Sequence, residues 1–137
     1  MPSQELSEWI RERYAEAGRL PEFEHLTRVA GLAKSHADRT VAWLHDIVED
    51  DLASLAEVRD AIVKTTAFAE VEVDAIVTSV NNLMRRKSSD ESYPDYIGRV
   101  IDAGDQRALR VKQLDLLDHL DPYHRYGLRP DQASSYL

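Results

Sequence analysis

Residues 43–51 read Trp43-Leu44-His45-Asp46-Ile47-Val48-Glu49-Asp50-Asp51, an apolar run that breaks into one imidazole and a burst of carboxylates. Continued as a helix at about 100° per residue, the stretch sets His45, Glu49, Asp46 and Asp50 at roughly 0°, 40°, 100° and 140°, on one side of a helix end. The preceding Val41-Ala42-Trp43-Leu44 would hold that end against a core. Carboxylates half-buried side by side repel one another unless a cation neutralises them. Two readings therefore stand together, a metal site and an acidic helix end facing solvent. The second gains little locally, because acidic residues at a helix C-terminus oppose the macrodipole.

Outward from this stretch the chain is patterned for helices. Residues 3 to 17 space Leu6, Trp9, Ile10 and Tyr14 about one turn apart, and Gly18 and Pro21 close the segment. A second helix is expected over 22–36, with Phe23, Leu26, Val29, Ala30 and Ala33 as its apolar stripe. Asp38-Arg39-Thr40 offers an N-cap for a third over 41–48. Further helices are expected over 52–64 (Leu55, Val58, Ile62) and 68–80 (Val71, Val73, Ile76, Val77). The second of these is rich in β-branched residues, yet its length and spacing favour helix. A loop with the basic cluster Arg85-Arg86-Lys87 spans 81–92, and Pro94 opens a helix over 95–103. Gly104 separates that helix from one over 105–120, and Pro122 follows in a turn; residues 130–137 begin a short last helix. Trp9 and Trp43 are expected as core anchors, His36 and His124 as surface residues. The expectation is an all-α bundle of six to eight helices, one domain over residues 1–137.

Composition excludes several functions. With no cysteine among 137 residues there are no disulfides, thiolate zinc sites or cysteine nucleophiles. No apolar run approaches the ~18 residues of a transmembrane helix, and the polar start lacks the layout of a signal peptide. A cytoplasmic protein is expected. Lys+Arg 17 against Asp+Glu 25 gives a net charge of −8, the wrong sign for a nucleic-acid-binding surface. An acidic protein still binds phosphates where a metal ion inverts the local field.

Partners for such an ion occur elsewhere in the chain. His25 heads the apolar stripe of the second segment, where a lone histidine reads as a core or surface residue or as a ligand. Asp115, in Val111-Lys112-Gln113-Leu114-Asp115-Leu116-Leu117-Asp118-His119-Leu120, is flanked by leucines and needs a partner or a metal. Asp118 and His119 lie three and four residues on and share its face.

Four blocks in order resemble the HD-domain phosphohydrolases, close to the hydrolase domain of the RelA/SpoT family. His25-Leu26-Thr27-Arg28-Val29-Ala30 resembles H-P-L-x-V-A, and Leu44-His45-Asp46-Ile47-Val48-Glu49-Asp50 resembles L-H-D-V-V-E-D. Tyr93-Pro94-Asp95-Tyr96-Ile97-Gly98-Arg99 is similar to a Y-x-x-Y-I-x-R block of small relatives, and residues 111–118 to V-K-L-A-D-L-x-D. The resemblance implies an HD-domain helical bundle that cleaves the alarmones (p)ppGpp. It implies His25, His45, Asp46 and Asp115 as ligands of one divalent ion, usually Mn²⁺, and Glu49 and Asp50 as the catalytic acidic pair. Mixed nitrogen and oxygen ligation without sulfur also suits Fe²⁺ or Zn²⁺.

The substrate-facing positions depart from the family. Its Arg-Lys pair before the first ligand falls on Glu16-Ala17, with Arg19 or Arg13 as possible substitutes. Its asparagine four residues after the last ligand is His119, and the threonine of its V-T-K-L run is Asn81. Candidate substrate contacts are Arg19, Arg85, Arg86, Tyr96, Arg99, Lys112 and His119. The arginine clamp competes with a solvated loop, Tyr96 with a core role, and Lys112 with a stem covering apolar surface. Three functions follow: (p)ppGpp 3′-pyrophosphohydrolase, a phosphohydrolase for another nucleotide or phosphorylated metabolite, and a catalytically silent module that binds nucleotide or protein. The chain ends soon after the last motif and has no synthetase-like region, so alarmone chemistry here is expected to be hydrolysis only.

Overall fold

Periodic apolar residues become buried stripes on seven helices in the computed structural model, which describes residues 2–85 and 91–120. These are α1 (Pro2–Glu16), α2 (Leu20–Leu32), α3 (His36–Leu44), α4 (Leu55–Thr65), α5 (Glu70–Leu83), α6 (Tyr93–Asp102) and α7 (Gln106–His119), with no strand among the described residues. The protein is thus an all-α bundle. Arg86, Lys87, His124, the turn at Pro122 and the helix expected over 130–137 lie outside the described residues.

One core takes a side chain from every helix. Leu6, Ile10 and Tyr14 of α1 meet Leu26 and Val29 of α2, Val41 and Leu44 of α3, Val58 and Ile62 of α4, and Val73, Ile76 and Val80 of α5. Tyr96 and Val100 of α6 and Ala108 and Val111 of α7 complete it. Helix α3 sits centrally, packed on α1, α2, α5 and α7. The buried stripe of α7 changes character along its length: Ala108 and Val111 are followed, at one-turn spacing, by buried Asp115 and Asp118. That change marks where the core becomes a site.

Several boundaries differ from expectation, and capping explains them. Helix α2 stops at Leu32, and α3 opens at His36 because the Ser35 side chain accepts from the Asp38 amide (3.0 Å). Asp38 is therefore not a cap. Its carboxylate takes Arg110 (2.6 and 2.9 Å) and Arg107 (3.5 Å), fastening α3 to α7. Helix α3 ends at Leu44, and residues 45–51 are successive turns that finish at Asp51 with a left-handed φ of 60°. Helix α4 starts three residues later than expected, behind a reciprocal capping box of Ser54 and Glu57. Helix α5 runs on to Leu83, and α6 starts at Tyr93 behind the Ser92 cap. The tryptophans are corrected too. Both are only partly buried: Trp43 stacks on Phe23 with centroids 5.5 Å apart, and Arg13 lies 4.9 Å over Trp9. The fully buried large aromatic is Tyr14.

Asp105 shows how a cap can also join helices. It accepts from the Ala108 amide (3.1 Å), the Ser79 hydroxyl (2.8 Å) and the Asn82 amide (3.1 Å), so α7 is capped and tied to α5 by one carboxylate. Burial pushes its pKa up, but these three donors outweigh burial and hold it below the usual carboxylate range. A depressed folded pKa stabilises above the unfolded value, near pH 4, and that stability is lost as pH falls through the folded pKa. Asp105→Ala is expected to cost about 2–3 kcal/mol in urea unfolding at pH 7, Asp105→Asn less, with the gap to wild type closing below about pH 4.

Candidate metal centre

Three distant segments deliver the site. His25 lies on the buried face of α2; His45 is the residue after α3, and Asp46 follows it in the turn; Asp115 comes from the buried face of α7. Each offers one ligand atom, and the four atoms lie within 4.8 Å of one another. His25, His45 and Asp115 are buried, and Asp46 is partly exposed.

Both imidazoles are oriented from behind. His45 Nδ1 donates to the Ala42 carbonyl (2.6 Å), an acceptor left spare by the end of α3. His25 Nδ1 donates to Asp118 (2.5 Å), and Asp118 is in turn gripped by Arg28 through two bonds (2.7 and 3.1 Å). With Nδ1–H committed outward, each Nε2 turns into the cluster. Such carboxylate or carbonyl partners behind a histidine fix its tautomer and sharpen its basicity toward a metal.

What faces inward is acceptor against acceptor. The Nε2 atoms of His25 and His45 lie 2.7 and 3.3 Å from one Asp115 oxygen, and His45 Nε2 lies 3.2 Å from Asp46. Neutral rings would repel those carboxylates, so the cluster requires positive charge at its centre, from protons or from a cation. Burial alone lowers the His45 pKa, yet Asp46 and Asp115 overcome it and raise it well above the ordinary value. His25 is raised likewise, against burial, by Asp115 and Asp118. Burial pushes Asp115 upward, but His119, His25 and His45 together hold it far below the carboxylate range. Two imidazoles and two carboxylates, pre-aimed and without sulfur, fit a divalent Mn²⁺, Fe²⁺ or Zn²⁺.

The cluster floors an open cleft of about 490 Å³. Glu49 lines it and accepts from the Arg85 backbone amide (2.6 Å). Asp50 lines it too, with both oxygens engaged: Tyr14 donates to one (2.8 Å) and Arg19 to the other (3.2 Å). Burial, then the Asp50 charge, drives the Tyr14 pKa far up, so its hydroxyl stays a donor. Arg19, Arg85, Lys112 and His119 also line the cleft. Lys112 Nζ is 3.0 Å from Asp115, and the His119 ring lies 4.5 Å from that of His25.

Two of the sequence candidates have other tasks. Tyr96 presents ring to the cleft but is only 4% exposed, and its hydroxyl donates to the Leu83 carbonyl (2.5 Å); burial pushes its pKa up to about 12. Arg99 is not at the cleft. It binds Glu91 (2.8 and 3.2 Å) and the carbonyls of Asn82 (3.3 Å) and Met84 (2.8 Å), bracing the connection between α5 and α6. Arg86 lies outside the described residues. The sequence reading missed Arg28, Tyr14 and Tyr93. Arg28 carried a signal in its position three residues after His25, on the same face as a residue already suspected.

No family model matches the chain, and neither the curated proteins nor the solved structures provide a match. The likeness to HD phosphohydrolases remains a resemblance of motifs, and the geometry above stands beside it independently.

The support behind His25 can be tested without touching a ligand. Asp118→Ala is expected to weaken Mn²⁺ binding roughly tenfold to a hundredfold, measured by equilibrium dialysis on a chelator-stripped protein that retains its helical circular dichroism.

Proposed function

We propose that this chain is a metal-dependent phosphohydrolase of the HD type, and that it removes pyrophosphate from the ribose 3′ position of (p)ppGpp, leaving GDP or GTP. The observation that carries the reaction class is the convergence of two rear-braced imidazoles and two carboxylates at the floor of a cleft with basic side chains on its walls. The choice of alarmone rests on the four motif blocks.

His25, His45, Asp46 and Asp115 would hold the ion. A divalent cation bound there would supply Lewis-acid chemistry, making a water more acidic and a phosphoryl oxygen more polarised. Glu49 takes the proton of the attacking water, its carboxylate steadied by the Arg85 amide. Asp50 acts through Arg19, which it anchors beside the cleft for a phosphate. Lys112, Arg85 and Arg19 supply the positive charge that an acidic chain otherwise lacks, and His119 donates to a phosphate or ribose oxygen beside Asp115.

A phosphohydrolase for another nucleotide is favoured by one feature: Glu16 and Ala17, at the place of the family's Arg-Lys pair, are exposed and do not line the cleft. A silent binding module would have no use for both the braced imidazoles and Glu49.

Pyrophosphate release from (p)ppGpp and from a panel of nucleotides, followed by liquid chromatography with Mn²⁺ added back to stripped protein, separates these. Mn²⁺-dependent turnover of the alarmone is expected. Glu49→Gln should lower kcat by about 10²-fold or more while keeping the metal, and Asp46→Ala should lose metal and turnover together. Turnover of other nucleotides alone would reject the alarmone; stoichiometric metal with no turnover of any phosphate ester would reject the enzyme.

A further inference from the structure

The metal floor and the acidic pair leave one part of the cleft without a task. Tyr93 lines it, 43% exposed, whereas Tyr96 three residues on is buried with its hydroxyl spent on Leu83. Two cations attend the Tyr93 ring: the Arg85 guanidinium 5.6 Å from its centroid and the Lys112 ammonium 5.8 Å away. Both cations line the same cleft. Positive charge drawn to a ring in this way favours an anionic or electron-rich planar ligand and disfavours a cationic one.

The ring also stands on a fixed base. Tyr93 is the first residue of α6, behind the Ser92 cap, whose side chain accepts from the Asp95 amide (3.2 Å). Tyr96 and Arg99 then bind carbonyls of residues 82–84, so α6 is clamped to the end of α5. A ligand stacking on Tyr93 need not order the backbone beneath it. Lys112 joins platform to floor, since the ammonium near the ring is 3.0 Å from Asp115.

We infer that Tyr93 is the specificity-determining platform on which the planar base of the ligand stacks, with Arg85 and Lys112 holding the adjoining phosphates. The inference rests on the phosphohydrolase reading for the phosphates and adds the base. It also supplies a recognition element in a chain whose Glu16-Ala17 cannot act as the family's Arg-Lys pair.

The test compares two probes on the Mn²⁺-loaded full chain by titration calorimetry: GDP, which carries a base, and inorganic pyrophosphate, which does not. Tyr93→Ala is expected to weaken GDP about tenfold or more and to leave pyrophosphate within twofold, while Tyr93→Phe keeps GDP affinity. Unchanged pyrophosphate affinity certifies that the variant is folded. GDP affinity unchanged in Tyr93→Ala, or an equal loss for both probes, would overturn the platform. Tyr93-dependent GDP binding in a protein that hydrolyses no phosphate ester would support the platform and sink the hydrolase. Hydrolysis with Tyr93-independent GDP binding would do the reverse.

Discussion

Much of this fold serves one electrostatic demand, made by Asp115. A carboxylate on the buried face of a helix, with the Nε2 atoms of His25, His45 and His119 converging on one oxygen at 2.7 to 3.3 Å, is stable only if positive charge is shared among them. Protons and a divalent cation compete for that role. Because the His25 and His45 pKa values are raised on folding, proton-borne stabilisation is complete below their unfolded value, about 6.5, and fades as pH rises through the folded values. Above that range the Lys112 ammonium 3.0 Å from Asp115 remains, and a bound divalent cation would supply the rest. The same cluster, proposed as a metal site, would have its charge supplied by protons when the pH is low enough.

The net charge of −8 looks hostile to a phosphate ligand until the acids are followed to their partners. Asp38 is spent on Arg110 and Arg107, Asp105 on a helix cap and α5, and Asp118 on Arg28 and His25. Glu91 holds Arg99. These carboxylates build the scaffold, and Asp38, Asp118 and Glu91 are offset by the arginines they hold. Around the cleft, Arg19, Arg85 and Lys112 stand near the four-donor floor, and a bound divalent cation would shift the local balance further toward positive.

The helices and the four residues of the candidate metal centre were legible in the sequence for different reasons. Stripes such as Leu6, Ile10 and Tyr14 are visible because burial imposes the 3.6-residue period on any helix that must face a core. His25, His45, Asp46 and Asp115 were visible as motifs, yet the helical-wheel argument for His45 to Asp50 rested on a helix that stops at Leu44. The carboxylates meet through turns ending at Asp51, and periodicity has no term for turns. The cap at Ser35 was hidden because Asp38, three residues later, is an equally good cap by type; its capture by Arg110, 72 residues away, is tertiary and leaves no local trace. Arg99 shared a helix face with Tyr96, but only the packed α5–α6 connection decides that it turns to Glu91 and away from the cleft.

The acidic pair shows how far a motif underdetermines roles. Glu49 and Asp50 are adjacent and of like type, so sequence makes them partners in one task. Their surroundings separate them. Both Asp50 oxygens accept bonds from the protein, one from a tyrosine buried in the core and one from an arginine at the cleft edge. A carboxylate so occupied serves as an anchor, since taking up a proton would forfeit charge-assisted bonds to Arg19. Glu49 lines the same cleft and accepts a bond from the Arg85 backbone amide, a donor that Asp50 does not share. In the reaction proposed above, phosphate orientation would fall to the Tyr14–Asp50–Arg19 chain and proton transfer to Glu49. The anchoring role of Asp50 follows from which donors reach its two oxygens, information that two consecutive letters cannot hold.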